Sequence, residues 1–194
     1  MSDDNPAEWP VSLSGVTESV VTTLGPNDRW NVAALGLFAG EDDLVTARTW
    51  GNTRTRRNFH RHGEGYVQFV ADPLIFVEAA LSITERDDPV LEAACAWTRV
   101  ALEQVDAGED EGTDWEEWEL CPLESTVRER RVPTIDRGFG AVIEATVAAS
   151  RLEVSGYDED ALRERLADYE SVVERAGSER EREALERVRE YSSW

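Results

Sequence analysis

Residues 30–58 read WNVAALGLFAGEDDLVTARTWGNTRTRRN, and this stretch decides the fold. Trp30 to Phe38 is nearly continuous in apolar residues, as a largely buried strand would be. Gly40-Glu41-Asp42-Asp43 is a turn cluster, and Leu44 to Trp50 forms the next strand. Upstream, Gly15 to Leu24 is rich in Val and Thr and holds no helix breaker. Val16, Val20 and Leu24 can share one strand face, with Val21 on the other. Gly25-Pro26-Asn27-Asp28 turns the chain between these two strands. Three strands joined by short turns predict an antiparallel meander.

Downstream, Gly51 to Gly65 is polar and glycine-bounded, hence a loop or short helix, and Tyr66 to Ala71 is a fourth strand. Asp72-Pro73 opens a helix, with Asp as N-cap, Pro at the first helical position, and Leu74, Phe76, Val77, Ala80 and Leu81 following. Asp88-Pro89 repeats the device. Leu91, Cys95, Thr98, Leu102 and Val105, at steps of four and three, predict a second helix ending near Gly108. Glu109 to Asp114 reads as an acidic loop, and Trp115 to Val132 as strands interrupted at Pro122. Ala141 to Val154 reads both ways, its alanines suiting a helix and its alternation a central strand. The strand is the expectation, with Glu144 paired to Arg137 or Arg151. Asp158 caps a helix whose Leu162, Leu166, Tyr169 and Val173 share a stripe. Gly177 ends it, and Ser178 with Glu181 forms a capping box for a last helix that turns Leu185, Val188 and Tyr191 inward. Three segments result: a flexible acidic tail over 1–11, a barrel domain over 12–155 with a helical insertion at about 73–107, and a helical hairpin over 156–194.

Of 194 residues, 41 are acidic and 20 basic, for a net charge of −21. Every basic residue is arginine. A surface so negative repels nucleic-acid phosphates and anionic membranes, so neither is expected as a partner. No apolar run reaches the roughly 20 residues of a membrane span. The N-terminus has neither the basic nor the apolar region of a secretory signal, so a cytoplasmic protein with reduced thiols is expected. Acid excess without lysine suits a cytosol of molar salt, where the Debye length falls to about 3 Å and self-repulsion is screened. An arginine-for-lysine bias in the genome would account for the missing lysines but not readily for twice as many acids as bases, so the halophilic reading is the expectation. Cys95 and Cys121 are too few for a disulfide framework, and Cys95 is expected in a core.

Against this background Arg48 to Gly63 reverses sign. It holds five arginines (48, 54, 56, 57 and 61), two histidines (60 and 62) and no acid. Guanidinium forks match phosphate oxygens, and Thr53, Thr55 and Asn58 add short donors. The segment therefore reads either as an anion site, most simply for the phosphate of a small cofactor, or as arginines paired with distant carboxylates. His60 and His62 have no neighbouring acid or cysteine to complete a zinc set, and no metal is expected. The sequence has no G-x-S-x-G elbow and no G-x-G-x-x-G, and without lysine neither a standard P-loop nor a Schiff base is available. Trp30 and Trp50 flank the strand that carries the loop, so either could wall a planar ligand, with core packing the default for each.

Asn31-Val-Ala-Ala-Leu-Gly36, followed by Asn52-Thr-Arg-Thr-Arg-Arg-Asn58, resembles the FMN-binding split-barrel flavoproteins, and within them an uncharacterised archaeal family, domain of unknown function 447. Arg137-Gly-Phe-Gly-Ala-Val-Ile-Glu-Ala-Thr-Val-Ala-Ala-Ser-Arg151 resembles that family's second signature. The resemblance implies an α+β, mainly β fold: a six-stranded antiparallel split barrel with inserted helices and a C-terminal hairpin, dimerising with flavin near the interface. It implies FMN as cofactor, with Asn31, Val32 and Ala33 along the ring edge. Thr53, Thr55 and Asn58 would donate to the phosphate, with Arg54 or Arg56 supplying charge. Many relatives have Pro where this chain has Ala34 and His where it has Ala148. The implied activity is hydride transfer from a reduced nicotinamide through FMN to an acceptor the residues do not name. The alternatives are a non-catalytic flavin- or deazaflavin-binding protein and a structural dimerisation module with a degenerate site.

Overall fold

The computed structural model describes residues 7–40, 44–110 and 112–194. In chain order the elements are β1 (Val16–Leu24), β2 (Trp30–Ala39), β3 (Val45–Trp50), α1 (Arg54–His62), β4 (Glu64–Val70), α2 (Pro73–Leu81), β5 (Thr84–Arg86), β6 (Ala94–Asp110), β7 (Thr113–Val127), α3 (Arg137–Ala149), α4 (Glu159–Ala176) and α5 (Glu179–Tyr191). Contacts divide them into two compact units. The first runs to Ala71 and resumes over Glu85–Arg130; the second comprises Asp72–Thr84 and Arg131–Trp194.

The first unit is a barrel. Strands follow the order β1-β4-β6-β7-β3-β2, and β2 pairs back onto β1, so six antiparallel strands close on themselves and β5 lies outside on β2. Closure removes the exposed edges that would otherwise pair with other chains. The meander is as expected, with β1 and β2 in register from Val16↔Phe38 to Leu24↔Trp30. Inward-facing Val21, Leu37, Ala47, Val67, Val100 and Trp118 fill the core, joined by Phe59 from α1. Trp9 and Leu13 pack on this core, and the Ser125 hydroxyl donates to the Glu8 carbonyl at 2.7 Å. The tail expected over 1–11 is therefore held at its C-terminal end; its first six residues lie outside the described residues.

Two element assignments are corrected, and they exchange roles. The helix expected after Asp88-Pro89 is the long strand β6. Ala94, Ala96, Thr98 and Val100 point inward while Cys95, Trp97, Arg99 and Ala101 are half-exposed, a two-residue period that outweighs the chance steps of four and three. Asp88-Pro89 caps nothing; the Pro89 carbonyl accepts instead from Thr22 Oγ1 at 2.5 Å and Gln68 Nε2 at 3.0 Å. Cys95 is thus a half-exposed strand residue rather than a core residue. Only Pro73–Leu81 of the expected helical insertion at 73–107 is helical.

Conversely, the strand expected over Ala141–Val154 is helix α3, capped by Asp136, whose carboxylate accepts from Phe139 N at 3.0 Å. Ala141, Val142, Ala145, Thr146, Ala148 and Ala149 bury one face at helical spacing, and Glu144 is exposed rather than held in a buried pair. α3 belongs to the second unit, so the contacts do not divide the chain at 155/156. In that unit α2, α3, α4 and α5 share a core of Leu74, Val77, Val142, Leu166, Val173 and Val188. Small residues bring backbones close: a Cβ on Gly138 would stand 2.6 Å from the Gly177 Cα. The hairpin is as expected, with Asp158 capping α4 and Ser178 and Glu181 forming a full capping box on α5. Tyr191, expected inward, is exposed. No helix of the described residues is long and apolar enough to cross a membrane.

Candidate functional site

The cationic segment folds as a nine-residue helix, α1, inside the barrel unit. Gly51 makes the turn into it at φ +61°, a left-handed conformation that a side chain would strain. Thr53 is its N-cap, the hydroxyl accepting from Arg56 N at 3.2 Å. Gly63, at φ +62°, closes it by donating to the Phe59 carbonyl. The first turn contains no acid; Arg54, Arg56 and Arg57 occupy it instead. Cations there oppose the helix dipole, each costing roughly 0.3–1 kcal/mol. Thr53 takes the Arg56 amide on its hydroxyl and the Arg57 amide on its carbonyl, which leaves the Arg54 and Thr55 amides open at a positive helix end.

Carboxylates from remote strands reach two of these cations, as the second reading of the segment anticipated. Arg54 Nη1 donates to Glu85 Oε1 at 2.8 Å, and Asn27 Nδ2 holds the other oxygen of Glu85 at 3.1 Å. Arg56 Nη2 donates to Glu116 Oε1 at 2.6 Å, and its Nη1 to the Gly51 carbonyl at 3.2 Å. Arg48 lies 3.5 Å from Glu117 and stacks on Trp115. Among the described residues Arg57 and Arg61 find only neutral oxygens: Arg57 donates to the carbonyl and amide oxygens of Asn52, and Arg61 to Asn58 Oδ1 at 2.7 Å.

The two groups of site candidates come together through β1. Asn58 is buried, and its amide donates to Thr23 Oγ1 at 3.0 Å and toward the Thr23 carbonyl at 3.5 Å. Thr23 stands opposite Asn31 in the β1–β2 register, followed by Thr22↔Val32 and Val21↔Ala33. Asn31 and Val32 are buried at the start of β2, and Ala33 is half-buried. β3 pairs with β2 only over Leu37–Ala39 and so does not reach this stretch. Thr55 is buried in the first turn, and its hydroxyl has no hydrogen-bond partner among the described residues. Trp30 packs edge-on against Tyr66 at 5.4 Å, whereas Trp50 is exposed.

The sequence reading missed what seats the helix. Glu116 of β7 is buried, and while one oxygen takes Arg56, the other lies 2.8 Å from His60 Nε2. His60 and Phe59 both meet Trp118 edge-on, at 4.9 and 5.2 Å, and Trp118 Nε1 donates to Thr49 Oγ1 at 3.0 Å. The available signal was the four-residue spacing of Arg56 and His60, which puts both on one helix face and allows a common acceptor.

A solved FMN-bound protein from Methanosarcina mazei, of the DUF447 family, shares this fold. It is 24% identical, and the match covers 92% of this chain and 96% of that one with a TM-score of 0.78. Component B of nitrilotriacetate monooxygenase from Bacillus cereus matches at 15% identity and a TM-score of 0.47, over 63% of this chain and 75% of that one. The flavin reductase of styrene monooxygenase from Pseudomonas putida matches at 13% and 0.39, over 58% and 79%. The family described as protein of unknown function (DUF447) matches twice, its N-terminal domain over residues 17–129 and its second part over residues 136–190. Barrel, cationic helix and second unit thus fall within one profile pair, and the chain belongs to the DUF447 family of split-barrel proteins.

Proposed function

We propose that the protein binds FMN, with the phosphate at the N-terminus of α1 and the ring edge along Asn31, Val32 and Ala33. The observation that carries this reading is the first turn of α1. Three arginines stand where acids are favoured, and Thr55, largely buried as a residue, keeps a hydroxyl that is not sealed from solvent and bonds to none of the described residues. A phosphate dianion would reverse the unfavourable dipole term and use the open amides. Thr53, Thr55 and Arg54 would hold it, while Asn58, its amide engaged with Thr23 and Arg61, would tie that turn to the strand carrying the ring edge. The FMN-bound relative of the same fold supports this choice of ligand.

Once bound, FMN supplies hydride chemistry, and a reduced nicotinamide is the proposed donor. The residues at hand bind and orient; none is placed as acid or base. A cytoplasmic homodimer in a haloarchaeal cell of molar salt completes the proposal, the last on the strength of the charge balance. The test is titration of the purified protein with FMN in molar KCl, followed by visible absorbance and flavin fluorescence. Saturable binding that Arg54→Ala and Thr55→Ala both weaken is the expected result. A folded protein with no spectral response would overturn it. Binding without oxidation of reduced nicotinamide would leave a flavin carrier rather than an oxidoreductase.

A further inference from the structure

We propose that Glu116 is a positioning residue for the phosphate end of this site, acting through Arg56 and His60, and that Arg56 is a strut rather than a phosphate ligand. The inference rests on the FMN reading. Glu116 is 5% exposed, an expensive place for a carboxylate unless its partners are held in good geometry. Each oxygen has its own partner, Arg56 Nη2 at 2.6 Å and His60 Nε2 at 2.8 Å, from successive turns of α1. The same Arg56 also reaches back to the Gly51 carbonyl at 3.2 Å, and Gly51 N donates to the Asp114 carbonyl at 2.7 Å. One buried acid on β7 therefore sets the rotation of α1 about its axis and braces the loop that delivers Thr53 and the open amides.

The division of labour follows from exposure and partners. The Arg56 guanidinium is only 21% exposed and is spent on Glu116 and Gly51; Arg54 is 44% exposed and holds a single, partly exposed carboxylate, Glu85. A phosphate could displace Glu85 from Arg54 without stripping a buried charge. Taking Arg56 would strip the buried Glu116 of its arginine and leave it His60 alone, so the geometry assigns the mobile charge to Arg54 and the fixed frame to Arg56. This narrows the sequence expectation, which left the two arginines open.

The test compares FMN with riboflavin, which has the same ring and no phosphate, in wild type, Glu116→Gln, Arg56→Gln and the double variant. In Glu116→Gln the FMN Kd rises roughly fivefold to fiftyfold and the riboflavin Kd stays put, the span expected for coupled contacting residues. A general loosening of the barrel would weaken both ligands alike, and that result overturns the inference. The double variant then loses no more FMN affinity than Glu116→Gln alone, because one strut cannot be broken twice. Losses that multiply would make Arg56 a direct phosphate ligand and overturn the assignment. Should Glu116→Gln fail to fold, Arg56→Gln and Arg56→Lys decide the matter: with Glu116 still held by His60, a strut loses FMN affinity only modestly and lysine, which cannot span Glu116 and Gly51, does not restore it, whereas a direct ligand loses far more and lysine restores part of it. If wild type binds riboflavin and FMN equally, the phosphate reading itself fails, independently of Glu116.

Discussion

Helices α1 and α5 are both rich in arginine and both capped by a hydroxyl, yet they manage charge in opposite ways. α5 begins with Glu179 and Glu181 in its first turn, and Glu181 completes the capping box on Ser178. Two of its four arginines find acids on the same helix, Arg180 with Glu183 at 2.6 Å and Arg187 with Glu190 at 2.5 Å, besides the bidentate grip of Arg180 on Asp72 and the pair of Arg189 with Glu170 of α4. α1 has no acid in its first turn, and its ion pairs come from strands far along the chain, through Glu85 and Glu116. A helix that neutralises itself has no need of a ligand. A helix that relies on the tertiary structure for its counter-charges keeps a positive, donor-rich end that an anion can use.

The sharpest way to break this contrast is to remove the remote acid. Glu116→Ala leaves Arg56 and His60 without their buried partner and should cost about 2–3 kcal/mol, between the values for buried and exposed pairs. Urea unfolding in molar KCl measures it. A loss no larger than that of a surface pair would mean that α1 and α5 do not differ in kind. Removing the caps comes next. Ser178→Ala and Thr53→Ala should each cost about 1 kcal/mol of stability. Only Thr53→Ala should also weaken FMN, so a matching loss in Ser178→Ala would place the ligand elsewhere.

A smaller effect lies on β7. Burial first, then the neighbouring Glu119 and Glu103 carboxylates, push the Cys121 thiol up from its usual value. The folded state therefore favours the protonated thiol, and thiolate forms only at higher pH than in the unfolded chain. Alkylation of Cys121 should rise at higher pH than that of a free cysteine, and Glu119→Gln should move the curve back down. An unmoved curve would remove Glu119 as a cause. The smallest effect belongs to α5: Arg187→Ala should leave the unfolding midpoint where it is, because the exposed pair with Glu190 is local and solvated. A clear shift there would show that self-pairing on α5 matters more than the contrast allows.

What could be read in advance follows the range of the forces involved. The meander β1–β3, the caps at Asp72, Asp158 and Ser178, and the sign reversal over Arg48–Gly63 were legible because turn residues, capping side chains and charge are local. The exchange of β6 and α3 was not. Leu91, Cys95, Thr98, Leu102 and Val105 fit a helix as a list, but Thr98 and Val100 are buried only because β4 and β7 flank β6 on either side. The alanines of α3 alternate acceptably for a strand, yet their use is close packing in a helical unit, with Gly138 against Gly177 in the same unit. Short apolar runs carry both periods, and the neighbours choose between them.

The same boundary runs through the site. The sequence by itself determined that one short segment is cationic in an acidic chain, that it carries Thr53, Thr55 and Arg54, and that β-forming residues precede it. It also carried the family resemblance, which the profile over residues 17–129 and 136–190 bears out. Only the tertiary structure decided which arginines are already spent. Arg56 and Arg54 are two residues apart and chemically identical, but one is braced against a buried acid on β7 and the other faces a partly exposed acid on β5. Coulombic attraction at 3 Å depends on which strands barrel closure brings beneath the helix, and the separations of 31 and 60 residues along the chain hold no trace of it.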